Sequence, residues 1–295
     1  MPKMKQIIMP NLFLIGAPKC GTTSIVNWLS FTKEVFVPLG REPHFFAGDI
    51  FPNRVCNTIE RYKRLYKNAN SNYKYCLDGS TGYLSSSEAI PLILSYNQDS
   101  KFIAMVRDPA EMVISLHRER VSEGRERILS AREAWNQCCF LNNKREPSLD
   151  YKMQCNLASQ VKNLQSNVDP SSLMLLTLKE VANQPHKTFE EIMSFLNIPF
   201  SSYPTFNVYG AAITRKSFAF QSMLFKIKEL RRRLNIPPIG IGAFKWLEQR
   251  NTIDKKAILD DSEFLNDLKN ELQDERHELV KILEARDTII LRDSL

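Results

Sequence analysis

The chain has no CxxC pair and only four histidines among its 295 residues. Its six cysteines, Cys20, Cys56, Cys76, Cys138, Cys139 and Cys155, show no zinc-ligand spacing and, at this length, imply no disulfide framework. A reducing cytoplasm is the expected setting. No apolar run approaches the roughly 18 residues of a membrane span. There is no internal repeat and no low-complexity tract. The first residues, "MPKMKQIIMPNLFLIG", begin basic, as a secretory signal does, but their apolar part runs directly into a glycine loop that cleavage would destroy. They are read as leading into a first β-strand. No helix-turn-helix, zinc-finger or RNA-binding signature accompanies the net charge of +7, which favours anionic partners in general and does not select nucleic acid. The densest basic run, "KIKELRRRLN" at 226–235, reads as a solvated helix face, with an anion-facing segment as the alternative.

What is present is a core-forming chain, 43% apolar, expected to fold as a single domain over 1–295. Short apolar runs at 11–17, 34–38, 75–84, 100–109 and 171–182 read as strands or strand starts, and helical patterns follow at 22–30 and 188–198. Asp108 and Pro109 are expected to cap and open a helix. The alternation predicts an α/β fold with a central, mostly parallel sheet flanked by helices, with ligands bound beyond the carboxyl ends of the strands. The charged segment 118–147 interrupts the alternation and is a candidate acceptor-side cap. A helical region at 254–286 carries a stripe of Leu265, Leu268, Leu272, Leu279 and Leu283, expected to pack on the core.

"LIGAPKCGTTS" at 14–24 follows the first strand and precedes the first helix. Gly16 and Gly21 have the spacing of a phosphate-binding loop, but Thr22 stands where a nucleoside triphosphatase carries lysine, and Lys19 lies inside the loop. No acidic residue ends a strand in the manner of a magnesium partner. The glycines still permit a tight turn, successive N–H groups can form an anion nest at a helix N-terminus, and Thr22, Thr23 and Ser24 add hydroxyls. A plain strand-helix turn and a phosphate nest without catalysis are the competing readings.

Further along, "REPHFF" (41–46), "VRDPAEMVISLH" (106–117) and "TLKEVANQPHKTFEEIMSFLNI" (177–198) join this loop in order. Together they resemble the sulfotransferases that use 3′-phosphoadenosine 5′-phosphosulfate (PAPS), in the bacterial and heparan-sulfate-like branch. The likeness spans roughly residues 10–285. "FNVYGAAITRKSFAFQSML" (206–224) resembles the family's late segment over the nucleotide, with Arg215, Lys216 and Ser217 as candidates. The resemblance implies a P-loop-type three-layer fold and donor binding by Lys19, Cys20, Gly21, Thr22, Thr23 and Ser24 at the 5′ side. It implies that Arg107 and Ser115, eight positions apart, hold the 3′-phosphate. Glu180 falls near the end of the late strand. Three positions depart from the family pattern: Arg41 stands where lysine is frequent, Gly79 follows Asp78 where some relatives carry a catalytic lysine, and Met112 replaces a frequent arginine.

The implied reaction is transfer of the sulfuryl group from PAPS to a hydroxyl or amine of a small-molecule acceptor, a secondary metabolite being one class, with 3′-phosphoadenosine 5′-phosphate as product and no metal required. Lys19 is expected to stabilise charge on the departing oxygen. Glu42 is expected to act as general base, with His44 as a second candidate or as its orienting partner, since two positions apart in a strand they would share a face. The alternatives for these two are an ion pair at Glu42 and a packed histidine beside Phe45 and Phe46. Arg41, Asp78 and Trp135 are assigned to the acceptor side, with a strand cap and simple burial as alternatives for the last two. The competing functions are a P-loop kinase or nucleotide hydrolase and a catalytically inactive nucleotide-binding protein of the same fold.

Overall fold

The computed structural model describes residues 9–40, 42–54, 56–140, 146–207, 214–215, 218–233, 252–253 and 261–293. The chain divides into two compact units. The first takes the described residues up to Arg107, those from Leu157 to Gly210 and those from Glu278 onward. The second takes Asp108–Asn156 and the described residues from Ala211 to His277.

The first unit is built on a parallel sheet of five strands: β1 (Leu12–Leu14), β2 (Val35–Phe36), β3 (Tyr75–Asp78), β4 (Lys101–Val106) and β5 (Leu173–Thr177). Their order is β2-β3-β1-β4-β5, and every pairing is parallel. The expected α/β class and parallel sheet are thus what the chain adopts. β1 and β4 are buried almost throughout, which is why they read as continuous apolar runs and not as alternating ones. Phe13 of β1 stacks on Phe102 of β4, with ring centroids 5.7 Å apart. The helices α1 (Thr22–Phe31), α2 (Ile59–Leu65) and α3 (Ala89–Tyr96) belong to this unit.

Register decides what gathers at the carboxyl end of the sheet. Leu14 pairs with Ile103, and Phe13 with Asp78, so β1, β3 and β4 run out side by side. The hydrogen bonding continues past β1, from Ile15 N to the Ile103 carbonyl and from Ala17 N to the Met105 carbonyl. The glycine loop, the turn after Asp78 and Arg107 therefore share one edge of the layer.

The late apolar run is shorter as a strand than its composition suggests. β5 stops at Thr177, and a helix over Leu178–Asn183 begins at once, opened by a capping box in which Thr177 and Glu180 exchange side-chain and backbone bonds. Glu180 thus sits in a helix's first turn. Its carboxylate receives Arg286 through both terminal nitrogens, at 2.7 and 3.2 Å. The helix expected at 188–198 starts earlier, at Pro185, and ends at Phe195.

In the second unit, α4 (Pro109–Glu123) opens as expected. Asp108 caps it by accepting from Ala110 N and Glu111 N, and Gly124 closes it in the left-handed conformation. Asp108 also receives Arg276 Nε at 2.7 Å. The segment 118–147 contributes the end of α4 and α5 (Ala131–Phe140). Of the region 254–286, residues 261 onward are described, as helices over Ser262–Glu271 and Gln273–Asp293. Phe264, Leu268, Leu279 and Ile282 are its buried apolar residues, so the buried stripe is displaced in part from the leucine pattern. Among the described residues, no helix is long and apolar enough to cross a membrane.

Candidate active site

The glycine loop is shaped by two residues that a side chain would spoil. Gly16 has φ +125°, and a Cβ there would overlap the Thr81 carbonyl oxygen. Gly21 has φ +87° and caps α1 without any side-chain hydrogen bond. No acidic residue occupies the first turn of α1, so the positive end of that helix meets no carboxylate from its own first turn. Thr22 and Ser24 are nearly buried and Thr23 is exposed. Cys20 is fully buried. Burial pushes its thiol up to about 12, against the pull of Arg107 and Lys19. Cys20 therefore stays neutral, and its backbone is what it offers an anion.

Lys19 is held at φ +63°. Arg107, at the tip of β4, donates from Nη1 to the Lys19 carbonyl oxygen at 3.1 Å. The arginine assigned to the 3′-phosphate thus also braces the loop assigned to the 5′ side. Ser115 lies on α4 in the second unit, half-buried.

The segment after Arg41 is not a strand. Its backbone turns, with His44 at φ +50°. Glu42 and His44 meet nonetheless: His44 Nε2 is 3.3 Å from Glu42 Oε2. Thr81 Oγ1 donates to the same carboxylate oxygen at 2.9 Å. The Glu42 side chain is 47% exposed and that of His44 16%. The imidazole stacks on Phe51 with centroids 4.0 Å apart, and its Nδ1 is buried without a hydrogen-bonding partner among the described residues. Nε2 is thus the ring nitrogen that faces Glu42. Phe46 is core, and Phe45 stacks on Tyr62 at 4.4 Å.

Asp78 has no exposed surface. Its Oδ1 accepts from Ser80 Oγ at 2.6 Å and from Ser80 N at 3.1 Å. Its Oδ2 accepts from Tyr62 Oη at 2.6 Å and from Tyr83 Oη at 2.8 Å. Burial pushes the Asp78 pKa up, opposed by these hydroxyls and by His44. Trp135, also assigned to the acceptor side, is buried in the second unit, donating Nε1 to Glu271 at 3.0 Å with Lys152 over its ring.

The carboxyl edge of the sheet thus brings together residues 19–24, Glu42, His44, Asp78 and Arg107. Arg41, Lys216 and Ser217 lie outside the described residues, and of Arg215 only the backbone, in a two-residue strand (Thr214–Arg215), is described. Sequence reasoning gave no roles to Ser80, Thr81, Tyr83 and Tyr62. The signal for the first three was a hydroxyl-rich turn straight after a strand that ends in a carboxylate. Among the described residues, no group of three or more His, Cys, Asp or Glu could hold a metal ion.

Comparison with known proteins places the chain in a family. The sulfotransferase domain family matches residues 9–224, and the chain belongs to that family. Carbohydrate sulfotransferase 15 of Homo sapiens is 22% identical over 246 residues, covering 64% of this chain and 44% of the human protein. The Mus musculus counterpart is 21% identical over the same length. The chain therefore spans less than half the length of these curated relatives. Among solved structures, a sulfotransferase from Alicyclobacillus acidocaldarius superposes with a TM-score of 0.62 at 22% identity, over 81% of this chain and all of that one. At that identity the likeness is one of fold, and it extends the P-loop-like α/β architecture across most of the chain.

Proposed function

We propose that this protein is a PAPS-dependent sulfotransferase acting on a hydroxyl or amine of a small-molecule acceptor, with Glu42 as general base. One observation carries the reading. Thr81 presses its carbonyl on Gly16 of the glycine loop and donates its hydroxyl to Glu42, so an exposed carboxylate stands one residue away from an anion-shaped loop.

The residues fit the donor. The uncapped start of α1, the loop N–H groups and the hydroxyls of Thr22, Thr23 and Ser24 suit the 5′ phosphosulfate. Arg107 suits the 3′-phosphate, and Ser115, Arg215, Lys216 and Ser217 are further candidates on the nucleotide. Bound PAPS supplies a sulfuryl group whose sulfur–oxygen bond to the 5′-phosphate breaks as a bond to the acceptor oxygen or nitrogen forms. Lys19 offsets the charge left on the phosphate oxygen. Glu42 accepts the acceptor proton, and His44 Nε2 and the Thr81 hydroxyl hold its Oε2 in place. Cytoplasmic residence and a metal-free reaction complete this reading. The curated relatives' name makes a sugar hydroxyl the first acceptor to screen, with amines and phenolic metabolites next.

The test is calorimetric titration with 3′-phosphoadenosine 5′-phosphate beside AMP and magnesium-ATP. Micromolar binding of the bisphosphate with much weaker AMP is the expected result. A preference for magnesium-ATP would move the protein to phosphoryl transfer. Tight bisphosphate binding without transfer across a broad acceptor screen would mark an inactive nucleotide-binding member.

A further inference from the structure

The Glu42–Phe46 segment has no strand or helix to hold it, and one of its residues, His44, sits in the left-handed region, where a side-chain-bearing residue is disfavoured. Something must fix it. Two of its backbone N–H groups go to side-chain hydroxyls: His44 N donates to Ser80 Oγ at 2.9 Å, and Phe46 N donates to Tyr83 Oη at 3.3 Å. Both hydroxyls spend their own protons on one carboxylate, Asp78, at 2.6 and 2.8 Å. The Asp78 side chain, Ser80 and Tyr83 have no exposed surface.

A hydroxyl has one proton. By accepting from Ser80 and Tyr83, Asp78 turns both oxygens into acceptors facing the 42–46 segment. Tyr62 adds a third hydroxyl from α2, which leaves the carboxylate well supplied with donors in a buried site. Asp78 is also the last residue of β3, paired with Phe13 of β1. The pins that hold the segment are therefore anchored in the middle of the sheet, beside the strand that feeds the glycine loop.

We infer that Asp78 is a positioning residue: through Ser80 and Tyr83 it fixes the backbone of residues 44–46, and so sets where Glu42 and His44 stand relative to the glycine loop. Its hydrogen bonds go to Ser80, Tyr62 and Tyr83. The catalytic part of this inference rests on the function proposed above, whereas the structural part does not.

The test is amide hydrogen exchange of the full chain by NMR, with titration of 3′-phosphoadenosine 5′-phosphate alongside. Ser80→Ala should speed exchange at His44 N at least tenfold and leave Phe46 N less affected. Tyr83→Phe should do the reverse. Asp78→Asn, which contacts neither amide, should speed both. Bisphosphate affinity should stay within about threefold in all of them, while kcat on whatever acceptor the wild type uses falls at least tenfold. Should Asp78→Asn fail to fold, the two single-hydroxyl variants carry the test. Unchanged exchange at both amides in folded Ser80→Ala and Tyr83→Phe, or a uniform rise over the whole sheet, overturns the inference. Wild-type protein that does not bind the bisphosphate, yet shows the selective exchange pattern, sinks the proposed function and leaves the positioning role of Asp78 standing.

Discussion

Arg107 Nη1 lies 3.1 Å from the carbonyl oxygen of Lys19, so the guanidinium that terminates β4 is bonded to the backbone of the glycine loop. Its replacement should act in two ways, by removing a cation for the 3′-phosphate and by loosening the loop. Arg107→Ala is expected to weaken 3′-phosphoadenosine 5′-phosphate binding by about 2–3 kcal/mol, roughly 30- to 150-fold. AMP, which lacks the 3′-phosphate, should lose only the bracing part, roughly threefold. Calorimetry on both ligands separates the two. Equal losses would mean that Arg107 serves the loop alone.

Gly16 cannot carry a side chain where it is. Gly16→Ala is expected to lower stability by about 2–4 kcal/mol in urea denaturation, because the methyl would overlap the Thr81 carbonyl and the backbone has φ +125°. Gly48→Ala is the control. Its methyl would meet the movable end of Arg54 at 3.0 Å, and a change under about 1 kcal/mol is expected.

Glu42→Gln keeps the shape of the side chain and removes the proposed base. Sulfuryl transfer should fall by about 10²- to 10⁴-fold, with bisphosphate affinity within threefold. Thr81→Val, which deletes one hydrogen bond to the carboxylate, should cost less, about tenfold. Radiolabelled transfer from PAPS to the acceptor identified in the screen reads both. Retained transfer in Glu42→Gln would shift the base assignment to His44.

Burial raises the Glu180 pKa, but the Arg286 guanidinium and the Thr177 hydroxyl and N–H outweigh it and hold the carboxyl below its ordinary range. A depressed carboxyl pKa stabilises the fold fully above the unfolded value, and that share is lost as the pH falls through the folded value. Arg286→Ala should therefore be less stable than wild type by about 1–3 kcal/mol near pH 7. The gap should narrow as the pH drops below about 4.3, the ordinary glutamate value. Urea unfolding at a series of pH values checks it, and a gap that widens in acid would contradict the assignment.

The glycine loop was legible because its constraint is local: an apolar strand, two glycines at fixed spacing and a helix start occupy ten or so consecutive residues. Arg107 was legible for the same reason, as the end of an apolar run closed by Asp108-Pro109. The arrangement around Asp78 was not. Tyr62 approaches from 16 residues away and His44 from the far side of α2 in sequence, and no periodicity announces either. The turn at His44 was also hidden, because a left-handed backbone at a histidine has no compositional signature. It places Glu42 and His44 together by a different route from the shared strand face that their spacing suggested. Glu180 was half legible: the Thr177-x-x-Glu180 pattern is a capping box, but the apolar run through Val181 blurred the end of the strand, and Arg286 lies 106 residues further on.

Thr81 has one more consequence, for anyone who wishes to change what this site accepts. Its carbonyl is packed on the loop assigned to the donor, and its hydroxyl holds the carboxylate assigned to the acceptor. Substitutions that move the Thr81 backbone will be read by both ligands at once, so selection for a new acceptor there will also select for changes in donor affinity. Libraries aimed at acceptor range will search more productively in residues that serve only one ligand, with Thr81 held constant.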